Sequence, residues 1–332
     1  MMNNNKYYIY YHTDTDGKGS AAVAILYLLY MTKINEWNSE NVELIPFSYE
    51  KIDTFVPLCD YKLGDTVFIV DLSVDSSSLP KFISFLELLN SVGVKLYWID
   101  HHKSSKNCLH SIPKAILDTI EYVVDTDYCG MCICWRYFFN NLPMPEIVRL
   151  IDDWDCWKLK LSTTKDFHYG FDASGLDIPT NADWKSYLLD RGECLKLISK
   201  CIEDGKAIQK YIKIEDTNKF NYHFDCRFCG FSCCCLNVVR NSDIFLDKIK
   251  DYDIVLAFMY NGNTYKYSIY CRKDSEAKCN IIAEMFGGGG HKGASGFSSK
   301  KLVVNNYNSI FYKIKEMFRK HRYKKYSKRE GK

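Results

Sequence analysis

The chain has 332 residues, enough for two domains with sizeable cores, and its 47% apolar and 26% charged residues are the balance of an ordinary globular protein. Fifteen cysteines over this length exclude a small disulfide scaffold, and the longest helical apolar segment, 21–31, falls well short of the roughly 20 residues that span a bilayer. The formal charge of +3 hides an acidic body, because residues 313–332 hold ten Lys and Arg against only Glu316 and Glu330.

The opening residues 1–6 are polar and the next apolar run is short and tyrosine-rich, so no signal peptide is read there. The expectation is a cytoplasmic protein with reduced thiols and no membrane partner. Nothing in the sequence specifies an oligomeric state.

In chain order, strand 7–11 leads through an acidic loop into a helix over 20–33, with Ala21, Ala22, Ile25, Leu26 and Leu29 on one face. Strands follow over 42–49 and Thr66–Val70, a helix over Leu79–Val92, then strand 94–99. Helices are expected over 131–140 and 145–152, with Pro145 suited to a first turn. Alternating strand and helix periods predict an α/β domain, a mainly parallel sheet with helices on both faces. Gly, Pro, Asn and Asp over 170–181 mark a boundary, and a helix over 184–213 bridges to a second unit. That unit carries strands over 222–236, Ile254–Tyr260 and 264–271, a short helix over 280–286, a glycine cluster and a helix over 307–321. The division is therefore 1–175 a first α/β domain, 176–213 a linker with its bridging helix, 214–320 a smaller α/β domain, and 321–332 a basic tail.

The chemistry gathers at strand ends. The stretch Trp98-Ile99-Asp100-His101-His102-Lys103-Ser104 puts an acid and two imidazoles where a buried strand stops, and carboxyl ends of strands are where open α/β sheets bind ligands. Strand 7–11 runs into His12-Thr13-Asp14-Thr15-Asp16-Gly17, and Thr66–Val70 runs into Asp71. In an extended segment, His12, Asp14 and Asp16 share one side. Asp and His ligands without thiolates suit Mn²⁺ or Mg²⁺. Two such ions about 3.5–4 Å apart form the usual phosphoester-cleaving arrangement, with a carboxylate bridge from a central strand, for which Asp71 is the candidate. Asp152, Asp153 and Asp155 form a further acidic cluster from which one acid can complete a metal shell.

In the second unit, Gly287 to Gly290 with His291 and Lys292 offer close backbone N–H groups and positive charge to an anion, and Arg272 can grip phosphate in a bidentate fashion. Cys226, Cys229 and Cys233 to Cys235 read as small buried strand residues rather than a zinc knot. Trp135, Trp154 and Trp157 read as core packing before base stacking. The basic tail reads as a solvated helix end before a phosphate anchor.

In that order and spacing, these motifs resemble the DHH/DHHA1 phosphoesterase superfamily, which includes RecJ-like exonucleases, nano-RNases and cyclic-dinucleotide phosphodiesterases. The resemblance covers most of the chain. It implies a DHH domain linked by a helix to a DHHA1-like domain, with the active site in the cleft between them. It also implies that His12 and Asp14 hold one Mn²⁺ and that Asp16, His101 and Asp153 hold the other. Asp71 then bridges, Asp100 and His102 serve catalysis with His102 facing the scissile phosphate, and Arg272, Gly289, Gly290, His291 and Lys292 hold the far end of a nucleotide or short nucleic-acid substrate. The function expected is a Mn²⁺-dependent phosphodiesterase, Mg²⁺ being the second choice of ion. A pyrophosphatase or exopolyphosphatase would be indifferent to the nucleobase, and a non-catalytic nucleotide-binding module would bind without turnover.

Overall fold

The structure, a computed structural model, describes residues 5–32, 41–47, 59–176, 178–180, 183–239, 242–272, 274–304 and 310–330. Parts of the expected elements fall outside these residues: the helix end at Lys33, the strand end at 48–49, the boundary residue Asn181 and the helix start at 307–309. Two compact units are formed, Met1–Gln209 and Lys210–Lys332.

The first unit contains β1 (Tyr7–His12), α1 (Thr15–Thr32), β2 (Val42–Phe47), β3 (Thr66–Val70), α2 (Leu79–Val92), β4 (Lys95–Asp100), α3 (Lys103–Cys108), α4 (Lys114–Leu117) and β5 (Glu121–Val124). It continues with α5 (Gly130–Phe138), α6 (Glu146–Asp155), α7 (Thr164–Ser174) and α8 (Trp184–Leu189), and α9 (Arg191–Phe220) runs across the boundary between units. The five strands form one parallel sheet in the order β2-β1-β3-β4-β5, so β3 is central and β1 and β4 flank it.

Strand parity explains the two cores. Ile9, Tyr11, Phe68, Val70, Tyr97 and Ile99 face one side with α1, α5 and α6, while Tyr8, Tyr10, Val67, Ile69, Leu96 and Trp98 face the other with α2. Burial on both faces is why the strands read as near-continuous apolar runs. Each fully buried side chain of this kind contributes about 1.5–3 kcal/mol. Helix α1 differs from its expected one-faced form: Ala21 to Leu26 are all buried, so it is a central helix enclosed on all sides.

Other departures have local causes. The break expected from Gly170 onward comes later, because α7 continues to Ser174 and stops where Gly175 takes the left-handed conformation (φ 64°). The bridging helix is divided at Asp190, whose extended backbone ends α8 and whose Oδ1 accepts the N–H groups of Gly192 and Glu193 at the start of α9.

The second unit holds β6 (Phe224–Phe228), β7 (Phe231–Asn237), a 3-10 stretch Ser242–Asp251, β8 (Ile254–Tyr260), β9 (Tyr265–Cys271), α10 (Cys279–Glu284), β10 (Gly289–Gly290), β11 (Ala294–Ser299) and α11 (Ile310–Glu330). Its six strands are ordered β10-β11-β9-β8-β7-β6, antiparallel apart from the β7–β8 pair. The single strand expected over 222–236 is a hairpin, because Cys229 and Gly230 both take positive φ (57° and 90°), as a tight two-residue turn requires.

Candidate metal centre

Parallel register brings three strand ends level. Tyr11 pairs with Val70 and Val70 with Ile99, so His12, Asp71 and Asp100 to His102 emerge along one edge of the sheet. Asp71 leaves the central strand with φ 55°, unusual for a residue with a Cβ, and its N–H donates to the Ile99 carbonyl at 2.9 Å. His101 continues the parity of Tyr97 and Ile99, towards the helices that carry Asp16 and Asp155, whereas Asp100 continues the parity of Leu96 and Trp98.

The two carboxylate oxygens of Asp71 face different imidazoles. Oδ1 lies 3.1 Å from His101 Nε2 and 3.8 Å from His102 Nδ1, while Oδ2 lies 3.9 Å from His12 Nδ1. His12 Nδ1 is also 2.7 Å from Asp14 Oδ2. His101 Nε2 is 3.6 Å from Asp155 Oδ2 and 3.8 Å from Asp16 Oδ2. Asp100 Oδ1 holds His102 Nδ1 at 2.8 Å. His12, Asp14 and Asp71 therefore make one ligand group, and Asp71 with His101 and His102 makes a second; His101 with Asp155 and Cys156 makes a third.

The acidic loop is built differently from the expected alternation. Helix α1 begins at Thr15, so Asp16 sits in its first turn, and Asp14 Oδ1 accepts the Gly17 N–H at 2.9 Å. Gly17 is required there, since a Cβ would lie 2.2 Å from the His12 carbonyl oxygen. Asp16 is held by the start of α5, whose Gly130 and Met131 N–H groups donate to Oδ2 and Oδ1 at 2.7 and 2.8 Å. A Cβ on Gly130 would meet Asp71 Cβ at 2.8 Å and Asp16 Oδ2 at 3.0 Å.

So many buried acids cannot all ionise in the bare protein. Burial first, then the neighbouring carboxylates Asp16, Asp14 and Asp100, raises the Asp71 carboxyl well above its ordinary value. Burial and Asp16 push Asp155 up to about 7, and burial also raises Asp16, with His101 opposing. Burial alone would lower His101, but its hydrogen bond to Cys156 and the charges of Asp16 and Asp155 take it to about 9. Asp71 Oδ1 and Asp155 Oδ2 are buried without a hydrogen-bond partner. Oxygen and imidazole donors arranged this way fit hard divalent cations, which would satisfy the orphaned oxygens and remove the repulsion.

Asp153, the acid expected here, has other partners. Its Oδ1 accepts the Lys160 N–H at 2.9 Å, and its Oδ2 accepts the Leu161 N–H and Thr164 hydroxyl at 3.0 and 2.5 Å. These bonds hold its carboxyl below the usual range despite burial. Asp152 instead pairs with Lys158 at 2.6 Å and accepts the Cys129 N–H. Asp155 is the member of the cluster that meets His101. Ile147, Ile151 and Asp155 recur every four residues along α6, but that spacing by itself does not rank Asp155 above Asp153, which is also buried. Cys156, and the backbone N–H groups that grip Asp16, had no sequence signal.

A cavity of about 480 Å³, open mouth included, adjoins the centre within the first unit, and Asp14, Asp16 and Asp155 form part of its wall. Most of the remainder is apolar, including Trp154, Phe167 and Phe171, with His168 and Thr15 as its polar members. Trp154 stacks on His168 with ring centroids 3.8 Å apart and planes 16° apart. Burial lowers His168 to about 4, so it is neutral at neutral pH. Of the three tryptophans weighed from the sequence, Trp135 is core, Trp157 is exposed and Trp154 lines this cavity.

In the second unit, Arg272 Nη1 donates to the Lys250 carbonyl at 2.6 Å and Nε lies 3.2 Å from Asp274. Gly289 and Gly290 form the short edge strand β10 against Gly296 and Ser295, with His291 and Lys292 exposed at its turn. Gly288 packs where a Cβ would lie 2.1 Å from the Gly296 carbonyl oxygen. Cys226 Sγ and Cys233 Sγ each lie 3.5 Å from Cys235 Sγ, in the apolar core of this unit. None of the fifteen cysteines is in a disulfide, and no helix among the described residues is long and apolar enough to cross a membrane.

Residues 6–146 match the model of the DHH family, N-terminal domain. The chain is 24% identical over 307 residues to uncharacterized protein R106 of Acanthamoeba polyphaga mimivirus, a match covering 87% of this chain and 66% of that protein, so it spans just under two thirds of that relative. Among solved structures, it resembles the DHH domain of a member of the s1p family of ribosomal proteins (TM-score 0.54, 14% identity, 98% of this chain and 86% of that one). It also resembles RecJ from Thermus thermophilus in complex with Mn²⁺ (TM-score 0.50, 12% identity, 98% of this chain and 52% of that one). These likenesses concern the fold. The family match covers the segment whose sheet carries His12, Asp71 and the Asp100-His101-His102 triplet, and makes residues 6–146 a DHH family N-terminal domain.

Proposed function

We propose that this chain is a divalent-metal-dependent phosphodiesterase acting on short or cyclic nucleotides or on the 5′ end of single-stranded nucleic acid. The observation that carries the reading is the division of the Asp71 carboxylate between His12 on one side and His101 on the other. His12, Asp14 and Asp71 would hold one cation, and Asp71, Asp16, His101 and Asp155 the other, Mn²⁺ being the first choice and Mg²⁺ the second. When bound, such a pair lowers the pKa of an attacking water and neutralises charge developing on the phosphoryl group.

The chain's own residues supply position. Asp100 fixes the ring of His102, which lies beside Asp71 and is proposed to face the scissile phosphate. Gly130 and Met131 hold Asp16 still, so that both its oxygens keep a fixed direction. In the second unit, proposed to be DHHA1-like, the exposed His291 and Lys292 at the Gly289-Gly290 turn are the groups offered to the far end of a substrate. Arg272 would have to leave Asp274 and the Lys250 carbonyl to join them.

The test is a panel in Mn²⁺ containing a linear dinucleotide, cyclic dinucleotides, 5′-labelled single-stranded DNA and polyphosphate. Hydrolysis of a nucleotide member, abolished by chelation and by Asp71→Ala, is expected. Cleavage of polyphosphate alone, or unchanged turnover in Asp71→Ala, would reject the proposal.

A further inference from the structure

The wall of the cavity beside the metal centre is chemically mixed. Asp14, Asp16 and Asp155 contribute to it, and so do Trp154, His168, Phe167 and Phe171. Among the described residues no Lys or Arg lines it, so the aromatic groups offer nothing to a phosphate group. The cavity is open to solvent at its mouth, and beside it the Trp154–His168 stack presents parallel ring planes on which a planar heterocycle can lie. Thr15, also in the wall, adds a hydroxyl that can donate or accept.

We infer that this cavity is a nucleobase pocket: a substrate whose phosphate lies at the acidic groups extends the Trp154–His168 stack with its own base. The inference rests on the phosphodiesterase reading above and narrows it, since a base-free polyphosphate leaves the aromatic groups uncovered. It also separates the roles of neighbouring residues in one short segment. Asp153 braces the turn, Trp154 receives the base and Asp155 faces the metal centre.

The full-length chain in Mn²⁺ is titrated with adenosine 5′-monophosphate and with ribose 5-phosphate, which differ only in the base. Base stacking predicts about tenfold tighter binding of the adenosine compound, with that ratio falling towards one in Trp154→Leu and kept in Trp154→Phe. On dinucleotide substrates, Trp154→Leu raises KM more than it lowers kcat. Photolabelling of the unmutated chain with 8-azidoadenosine 5′-monophosphate supplies an arm that needs no variant to fold, and label in the segment holding Trp154 and His168 is expected. Equal binding of the two phosphates, a ratio unchanged in Trp154→Leu, or label found only elsewhere would overturn the pocket. A chain that cleaves dinucleotides but ignores the base keeps the hydrolase and loses the pocket. One that binds the base here but cleaves nothing keeps the pocket and loses the hydrolase.

Discussion

Asp71 Oδ1 lies 3.1 Å from His101 Nε2, although the two residues are thirty positions apart in sequence, and both occupy the ends of adjacent parallel strands. That closeness makes Asp71 the residue whose replacement is most informative. In Asp71→Asn, a buried carboxylate with an orphaned oxygen is exchanged for a neutral group of the same shape. The metal-free variant is expected to be more stable than the metal-free parent by about 1–3 kcal/mol, because repulsion with Asp16, Asp14 and Asp100 is removed. The parent should gain about 2.7 kcal/mol from Mn²⁺ at a hundredfold excess over its Kd, and the variant much less. Thermal melts with and without chelator measure both.

Asp153 and Asp155 should separate cleanly. Asp155→Asn is expected to lose most of the Mn²⁺-induced stabilisation while keeping the fold. Asp153→Ala breaks three hydrogen bonds to Lys160, Leu161 and Thr164, so it should lower stability by about 2–4 kcal/mol and leave a Mn²⁺ response in the folded fraction. Urea titration of both variants, each with and without Mn²⁺, decides. The reverse pattern would return Asp153 to the metal.

Gly130→Ala tests the packing of α5 against the centre. The added methyl group would lie 2.8 Å from Asp71 Cβ, and neither Asp71 nor Asp16 can withdraw without leaving its own partners. Overpacking of this kind costs about 1–3 kcal/mol, and Mn²⁺ affinity measured by titration calorimetry should fall with it. Unchanged affinity would show that the centre tolerates a shift of α5.

Acid sensitivity in the second unit is traced to Asp253. Its Oδ2 accepts the Ser232 N–H at 2.8 Å and the Ser232 hydroxyl at 2.7 Å. Burial opposes ionisation, but these bonds, with Arg227 and Arg272 nearby, hold its carboxyl below the usual range. A depressed folded pKa means the contribution is complete above the unfolded value near 3.8 and is lost as pH falls through the folded value. Stability measured from pH 6 down to acid should therefore fall less steeply in Asp253→Asn than in the parent. An identical acid limb would remove Asp253 from the account.

The legible part of this protein was local and periodic. Apolar runs of period two, the intervening helix, and acids or imidazoles at Asp14, Asp71 and Asp100 to His102 sufficed to expect a parallel sheet with ligands at its strand ends. Parallel strands joined by helices leave few alternatives once those runs are found. The turn at Cys229 and Gly230 was not legible as a hairpin, because cysteine seldom takes positive φ and the apolar run around it reads as one strand.

Packing, not sequence, is what distinguishes Asp153 from Asp155. Both are carboxylates in one short segment, and nothing in their own chemistry ranks them. Ranking requires knowing which face of α6 meets His101 and which bonds the 158–164 turn needs to close. The same holds for Trp154, which the sequence could not tell from the core residue Trp135. Sequence alone determined which ligand types were present and that strands would deliver them, because those properties depend on neighbours along the chain. The grouping of His12, Asp16, Asp71, His101 and Asp155 depended on register and helix rotation, which are fixed by contacts between residues far apart in sequence.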